Sequence, residues 1–195
     1  MRKTIGYFWP IIFSLGIVLW PGNSGAVEKM DLPIQLQFKL LIKAATYNRA
    51  QSIKDPEVLR VGLVYSQQSN SQQVAQEVFA LFGTVETKVR QYKLAVVPIE
   101  FQNTRQFKQD TEGSKIHIYY ITPGSTSHLA SILDISNQLK ILTMTGISEY
   151  VHQGVALGVA NSGSRPEFIY NGETARNSGA DFHSNFLRLV RVIRR

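Results

Sequence analysis

The sequence predicts an α/β protein, specifically a three-layer α/β/α sandwich around a mixed, mainly parallel sheet. β-rich apolar segments alternate with segments that carry apolar residues at helical spacing, an alternation typical of parallel βαβ units. The predicted strands are apolar at nearly every position, as strands covered on both faces are. Near the end, two β-rich segments joined by a polar tip indicate a C-terminal β-hairpin, and a helical pattern follows it.

The first part of the chain predicts a helix, a strand and a second helix. The first helix begins near Asp31, because Pro33 is tolerated in a first turn, and ends before Asp55. The segment Val58–Tyr65, "VLRVGLVY", predicts the first strand. A helical pattern then runs to Gly83, a natural helix stop.

The middle of the chain continues the alternation. The predicted elements are, in order, a strand over 93–101, a short helix over 104–110, a strand over 115–121, a helix over 126–137, a strand over 140–143 and a helical turn over Ser148–His152. Pro98, inside the first of these, indicates an edge or an irregularity, because proline cannot donate to a strand ladder.

The end of the chain predicts the hairpin, with strands over 155–160 and 167–170, and then a last helix over 184–193. The helix is predicted from apolar residues spaced i, i+3, i+4 and i+7, which are Phe186, Leu189, Val190 and Ile193. On that helix Arg188 and Arg191 would share a basic face. Such a face could bind a partner, but a solvated surface is the more common role and is favoured.

The N-terminus predicts export. Arg2 and Lys3 precede an apolar stretch over residues 5–20, and the small residues Ser24, Gly25 and Ala26 follow. This pattern is typical of a cleaved signal peptide, residues 1–26, with cleavage after Ala26 and a single exported mature domain over 27–195. The alternative is an uncleaved anchor, but the stretch is shorter than the roughly 20 residues that cross a bilayer.

The composition excludes several kinds of site and limits the expected partners. The chain has no cysteine, which excludes disulfides, thiol nucleophiles and cysteine-ligated metals. Its 21 basic and 14 acidic residues give a formal net charge of +7. That charge permits attraction to a membrane surface or an anionic polymer. Nucleic acid is not an expected partner, because no Lys/Arg-rich run is present and the protein is predicted to be exported.

The segment 120–129, "YITPGSTSHL", offers a candidate ligand site. The polar loop follows a strand and opens a helix, where free N–H groups can bind an anion. The candidate binding residues are Gly124, Ser125, Thr126 and Ser127. The alternative is a turn with a helix cap, which is favoured because both phosphate-binding glycine motifs, G-x-x-x-x-G-K-[ST] and G-x-G-x-x-G, are absent.

No catalytic or metal site is predicted. The chain lacks a G-x-S-x-G elbow, and the adjacent residues Ser127 and His128 would point about 100° apart on a helix. The four histidines form neither H-x-x-x-H nor H-E-x-x-H, and His117 within a strand is expected to be structural. We therefore expect neither an enzyme nor a cofactor, and a hydrolase is the least favoured alternative.

Several segments, in one order along the chain, resemble the motifs of a known family. The first segment, with Ala44, Tyr47, Asn48 and Ala50, is similar to K-A-A-x-x-Y-N-x-A, and the second, 116–121, "IHIYYI", is similar to C-H-I-L-F-I. The third, 142–144 with Gly154, is similar to L-T-V before a Gly-Gly pair. The fourth, 168–189, is similar to F-x-I-N-x-x-A-x-x-A-G-L-x-I-S-S-x-L-L-x-L. On these residues the chain resembles the YfiR-like family of small periplasmic regulatory proteins. Three departures are Ile42, which stands at the lysine position of the first motif, Ile116, where many members have a cysteine, and the missing second glycine.

The resemblance implies a regulator that binds a membrane signalling protein, either a diguanylate cyclase through its periplasmic sensor domain or a sensor kinase. It also implies that the protein can form a homodimer. The redox control known in the family is not expected here, because this chain has no cysteine. The alternative function is a periplasmic receptor for a small anionic ligand.

Overall fold

A computed structural model describes residues 28–50, 58–83, 87–89, 92–163 and 165–193. The predicted signal peptide lies outside these residues. The helices are α1 (Ile34–Ala45), α2 (Ser69–Phe82), α3 (Thr104–Ser114), α4 (Leu129–Leu139), α5 (Ser148–His152), α6 (Gly172–Asn177) and α7 (Ser184–Leu187). The strands are β1 (Val58–Tyr65), β2 (Thr87–Val89), β3 (Tyr92–Glu100), β4 (Ile118–Ile121), β5 (Leu142–Thr145), β6 (Leu157–Ser162), β7 (Arg165–Asn171) and β8 (Val190–Ile193). No helix in the described segments is long and apolar enough to cross a membrane.

One eight-stranded sheet runs through the described part of the chain in the order β2-β3-β1-β4-β5-β6-β7-β8. The central five strands run parallel to one another; they are β3, β1, β4, β5 and β6. The pair β7 and β8 is also parallel. The antiparallel pairs are β2 with β3 and β6 with β7. The predicted mixed, mainly parallel α/β fold is therefore confirmed. The strand order reverses direction between β1 and β4, which makes this point the topological switch of the sheet.

Two apolar clusters cover the two faces of the sheet. One contains Phe38 of α1 and Phe82 of α2, and the other contains Phe107 of α3 and Ile132 of α4. Strand β4 contributes to both, since Tyr120 belongs to the first cluster and the adjacent Tyr119 to the second. Alternate side chains of a strand point to opposite faces, so a strand between two helical layers is apolar throughout.

Strand β3 shows why Pro98 is tolerated in the sheet. The described residues of β2 pair only with the segment 92–94 of β3, whereas Pro98 lies opposite Leu63 on β1. The side of β3 away from β1 is therefore an edge at Pro98, and the missing N–H group breaks no ladder there. The prediction that proline marks an edge is confirmed locally.

The predicted last helix over 184–193 is wrong. The helix α7 ends at Leu187, and β8 begins at Val190 and pairs parallel with β7, with Arg191 opposite Ile169. The sequence "VRVI" fits a strand as well as a helix, and the free edge of β7 supplies the hydrogen bonds that decide between them. As a result Leu189 is 67% exposed instead of buried. Arg188 caps α7, and it does not share a helical face with Arg191.

Candidate functional site

The loop between β4 and α4 lies at the carboxyl edge of the sheet, at its topological switch point. The loop after β1 lies beside it, and the Ser66 hydroxyl group donates to the carbonyl oxygen of Gly124 over 2.8 Å. In open α/β sheets, ligands bind beyond the carboxyl ends of the strands at this position. The geometry of the two loops therefore decides what can bind.

Buried hydroxyl groups fix the base of the loop. The Thr122 hydroxyl group donates to the carbonyl oxygen of Val64 over 3.0 Å, and its oxygen lies 2.7 Å from Ser71 Oγ. Ser71 Oγ in turn accepts the backbone N–H of Ser66 over 2.8 Å. Because the Thr122 proton points to Val64, Ser71 donates to Thr122, and the chain of donors has one consistent direction. The loops after β1 and β4 are thus tied together.

Gly124 is required by the shape of this loop. Its φ is +78°, and a Cβ atom would lie 2.6 Å from Asn70 Oδ1. Without a side chain, the backbone can turn its N–H group outward, and that group donates to Glu28 Oε2 over 2.7 Å. A glycine at this position therefore exposes a donor at the switch point.

The Glu28 carboxylate is held by three donors. Oε2 accepts the N–H of Gly124 and the hydroxyl group of Tyr150, and Oε1 accepts the hydroxyl group of Thr126. Both oxygens are engaged, and every donor is uncharged. The donors at this loop are therefore occupied by a carboxyl group of the chain itself.

Tyr150, on α5, connects the carboxylate to the loop. Its hydroxyl oxygen accepts the N–H of Ser125 over 2.8 Å while its proton is donated to Glu28. Burial raises the pKa of Tyr150, and the hydrogen bond and charge of Glu28 raise it further. The phenol consequently remains protonated, and it remains a donor, throughout the physiological range.

The structure brings together three of the four predicted ligand-binding residues. Gly124 and Thr126 contact the carboxylate directly, and Ser125 acts through Tyr150. Ser125 Oγ is buried and has no hydrogen-bond partner within the described residues. Ser127 is exposed, and none of the bonds around Glu28 involves it.

Sequence reasoning missed Glu28 and Tyr150. They join the loop from 96 and 25 residues away, and no local pattern links such distant positions. Both residues line an open cavity of about 340 Å³, together with Thr126. The other charged residues that line it are Lys29, Asp31 and Glu149.

The histidines take no part in a reactive cluster. His128 stacks on Phe101 with ring centroids 4.7 Å apart. His117 is structural as predicted, since its Nδ1 accepts the backbone N–H of Arg60 over 3.0 Å. In the described part of the chain, no three His, Asp or Glu side chains lie close enough to hold a metal ion.

The predicted partner-binding arginines lie near the β8 edge. Arg191 is paired with Glu167 on the neighbouring strand, with Nε 2.8 Å from Oε2. Arg188 is exposed at the end of α7. A role for these two residues in binding a partner stays a prediction.

Solved structures share this fold. One is a conserved domain protein from Vibrio cholerae, with a TM-score of 0.58, 12% identity and coverage of 83% of this chain and 60% of that one. Another is a domain from Streptococcus pneumonia in complex with L-Trp, with a TM-score of 0.56, 14% identity and coverage of 83% and 62%. A third is CD0873, a ligand-free, open substrate-binding protein with adhesive properties from Clostridium difficile, with a TM-score of 0.54, 14% identity and coverage of 87% and 66%. The chain thus spans 60 to 66% of these three chains, and at such identities the likeness concerns the fold alone.

The sequence itself matches a family. No curated protein matches the chain significantly. The family model described as YfiR/HmsC-like matches residues 50–191, which is more than half of the chain. The matched range includes the switch-point loop and Tyr150, whereas Glu28 precedes it. The protein therefore belongs to the YfiR/HmsC-like family of periplasmic regulatory proteins.

Proposed function

We propose that this protein regulates a membrane signalling protein by binding its periplasmic sensor domain, and that the regulated protein is a diguanylate cyclase. Family membership supports a regulator in general terms. The cyclase is the partner that the sequence resemblance implies. The structural observation that carries the proposal is the open, partly apolar edge of β8.

The β8 edge ends the sheet. Within the described residues β8 pairs with β7 on one side only, so its other side presents backbone N–H and C=O groups. Leu189 and Val192 beside this edge are 67% and 52% exposed. Free strand edges accept an extended segment of a partner, and exposed apolar side chains add contact area. The occupant we propose is a strand of the sensor domain.

Charge favours an acidic partner at this edge. Arg188 is exposed near Leu189 in the sequence, and Arg191 lies on β8 itself. Opposite charge at a rim speeds association and selects among partners. The pairing of Arg191 with Glu167 already offsets part of that residue's charge, so Arg188 is expected to contribute more to association.

Cellular cyclic-di-GMP tests the proposal. Deleting the gene should raise the cyclic-di-GMP level, and supplying the wild-type protein should return it to the level before the deletion. A Leu189→Glu/Val192→Glu variant should fail to lower the cyclic-di-GMP level, although it should keep the wild-type melting temperature. The matched control is Leu36→Glu/Leu81→Glu, which changes exposed leucines on α1 and α2 and should restore repression.

Two results would contradict the proposal in different ways. An unchanged cyclic-di-GMP level after deletion would exclude a cyclase as the regulated protein. Full repression by the Leu189→Glu/Val192→Glu variant would exclude the β8 edge as the interface. Light scattering of the purified protein adds a third outcome: a dimer that the double variant dissociates would mean that a second copy occupies this edge.

A second candidate function is a receptor for a small anionic ligand. The observation in its favour is the set of donors that hold a carboxylate at the switch point. Two proteins of similar fold are described as a domain in complex with L-Trp and as a substrate-binding protein. A ligand that binds only the folded protein raises its melting temperature. Because the carboxylate of Glu28 holds these donors, the clearest test is the Glu28→Ala variant. Carboxylates, phosphate or a nucleotide should raise its melting temperature, and no shift with any of them would contradict the receptor.

A further inference from the structure

We propose that Glu28 is a tethered occupant of a monocarboxylate site, and that a free carboxylate takes its place when the N-terminal segment is displaced. This inference rests on the second candidate function, because it concerns the same loop. It adds the class of ligand and a way in which the chain controls access. The argument depends on the donor set, the charges around it and the connection of Glu28 to the fold.

The donor set fits a carboxylate. Two donors converge on one oxygen of Glu28 and a third reaches the other oxygen. Backbone N–H and hydroxyl groups arranged in this way supply strong hydrogen bonds to an ionised acceptor. A planar group with two equivalent oxygens satisfies all three donors at once.

The charges around the donors favour a single negative charge. None of the three donors is cationic. Of the charged residues that line the cavity, Lys29 is basic, whereas Asp31 and Glu149 are acidic. Like charges in a partly buried site repel each other strongly, because the effective dielectric constant is lower than in water. A dianion such as phosphate is therefore a poorer ligand than a monocarboxylate.

The site is formed by the fold and not by Glu28. The Tyr150 hydroxyl group is positioned by the N–H of Ser125, and Gly124 is positioned by Ser66. Without the Glu28 carboxylate, the N–H of Gly124 and the hydroxyl group of Tyr150 lose their acceptor. Water in the open cavity can replace the carboxylate at each single donor, but one carboxylate accepts all three charge-assisted hydrogen bonds at once, so the emptied site favours another carboxylate.

Glu28 is attached to the fold through a short segment. It precedes α1, which starts at Ile34, and Met30 and Leu32 in between pack against the core, so displacement has to move Glu28 relative to Met30. Cleavage after Ala26, as the sequence predicts, would make Glu28 the second residue of the mature chain. A group joined to its site by a short linker acts at an effective concentration in the millimolar range. A free carboxylate must compete with that concentration, so the tether sets a threshold for occupancy.

Amide NMR of the processed protein tests the inference at the site itself. In Glu28→Ala, the Gly124 and Ser125 amide resonances should shift with acetate and saturate. The wild-type protein and the matched control Glu173→Ala, a change of an exposed carboxylate on α6, should need at least tenfold more acetate. Adding Tyr150→Phe to Glu28→Ala should weaken acetate binding about tenfold, since one donor is lost. Phosphate should require a higher concentration than acetate.

Each contrary result has a distinct meaning. Equal acetate responses in the wild type and Glu28→Ala would overturn the tethered occupant and leave the receptor function standing. If the Glu28→Ala protein is folded and its Gly124 amide resonance does not shift with acetate or phosphate, both the tethered occupant and the receptor function are overturned. Tighter binding of phosphate than of acetate would overturn the monocarboxylate class. The regulator proposal is tested separately by cyclic-di-GMP, so none of these results decides it.

Discussion

The hydroxyl group of Tyr150 donates a hydrogen bond to the carboxylate of Glu28, a residue 122 positions earlier in the chain. The same hydroxyl group accepts the N–H of Ser125 over 2.8 Å. One side chain on α5 therefore connects the N-terminal segment with the loop at the switch point.

Tyr150→Phe should lower the free energy of unfolding. The change leaves the N–H of Ser125 without its acceptor, and an unsatisfied buried donor costs about 1–3 kcal/mol. The control is Tyr120→Phe, a fully buried tyrosine whose hydroxyl group lies 3.5 Å from Gln37 Oε1, a long and weak contact. Urea unfolding of both variants measures the difference. Equal losses would show that the bonds of Tyr150 add nothing beyond its packing.

Gly124→Ala should destabilise more than Gly163→Ala. Both glycines have positive φ, +78° and +66°, so both substitutions carry backbone strain, of order 1–3 kcal/mol. At Gly163 an added Cβ meets nothing within 4 Å, whereas at Gly124 it would lie 2.6 Å from Asn70 Oδ1. The difference between the two variants in thermal unfolding isolates the close approach. An equal effect would mean that the Asn70 side chain moves aside at no cost.

Lowering the pH should destabilise the protein through His117. Burial and the neighbouring charge of Arg60 hold the pKa of this imidazole below its ordinary value, which is about 6.5. Between the folded pKa and about 6.5 the unfolded chain binds more protons at this residue, so the free energy of unfolding falls as the pH falls through that window. His117→Gln should show a smaller loss of melting temperature between pH 7.5 and pH 5 than the wild type. An unchanged slope in His117→Gln would contradict the assignment.

Local signals in the sequence predicted the central fold well. The bounds of β1 and α5 match the prediction residue for residue. A strand such as β1, apolar on both faces, carries its own signal, because burial by two helical layers constrains nearly every position. The polar tip also predicted the hairpin of β6 and β7, although the strands extend into that tip, to Ser162 and from Arg165.

Distant contacts could not be predicted from local patterns. In the segment after Phe186, apolar residues fit both a helical and an alternating pattern, and only the free edge of β7 decides for a strand. The carboxylate at the switch-point loop comes from Glu28, which lies outside the segment 120–129 in which the sequence predicted an anion site. The loop was recognised from its position after a strand, whereas its occupant depends on how the whole chain folds.

The corrected C-terminal segment predicts very different losses of stability for two nearby apolar residues. Phe186 is 2% exposed, stacks on Tyr47 and packs against the tilted ring of Phe182, whereas Leu189 is 67% exposed. Phe186→Ala should cost about 3–5 kcal/mol, because it leaves a cavity in the core. Leu189→Ala should change the free energy of unfolding by less than about 0.5 kcal/mol, as exposed substitutions usually do. Chemical denaturation of the two variants measures both values, and a large loss in Leu189→Ala would return this residue to the buried face of a helix and remove β8 from the sheet.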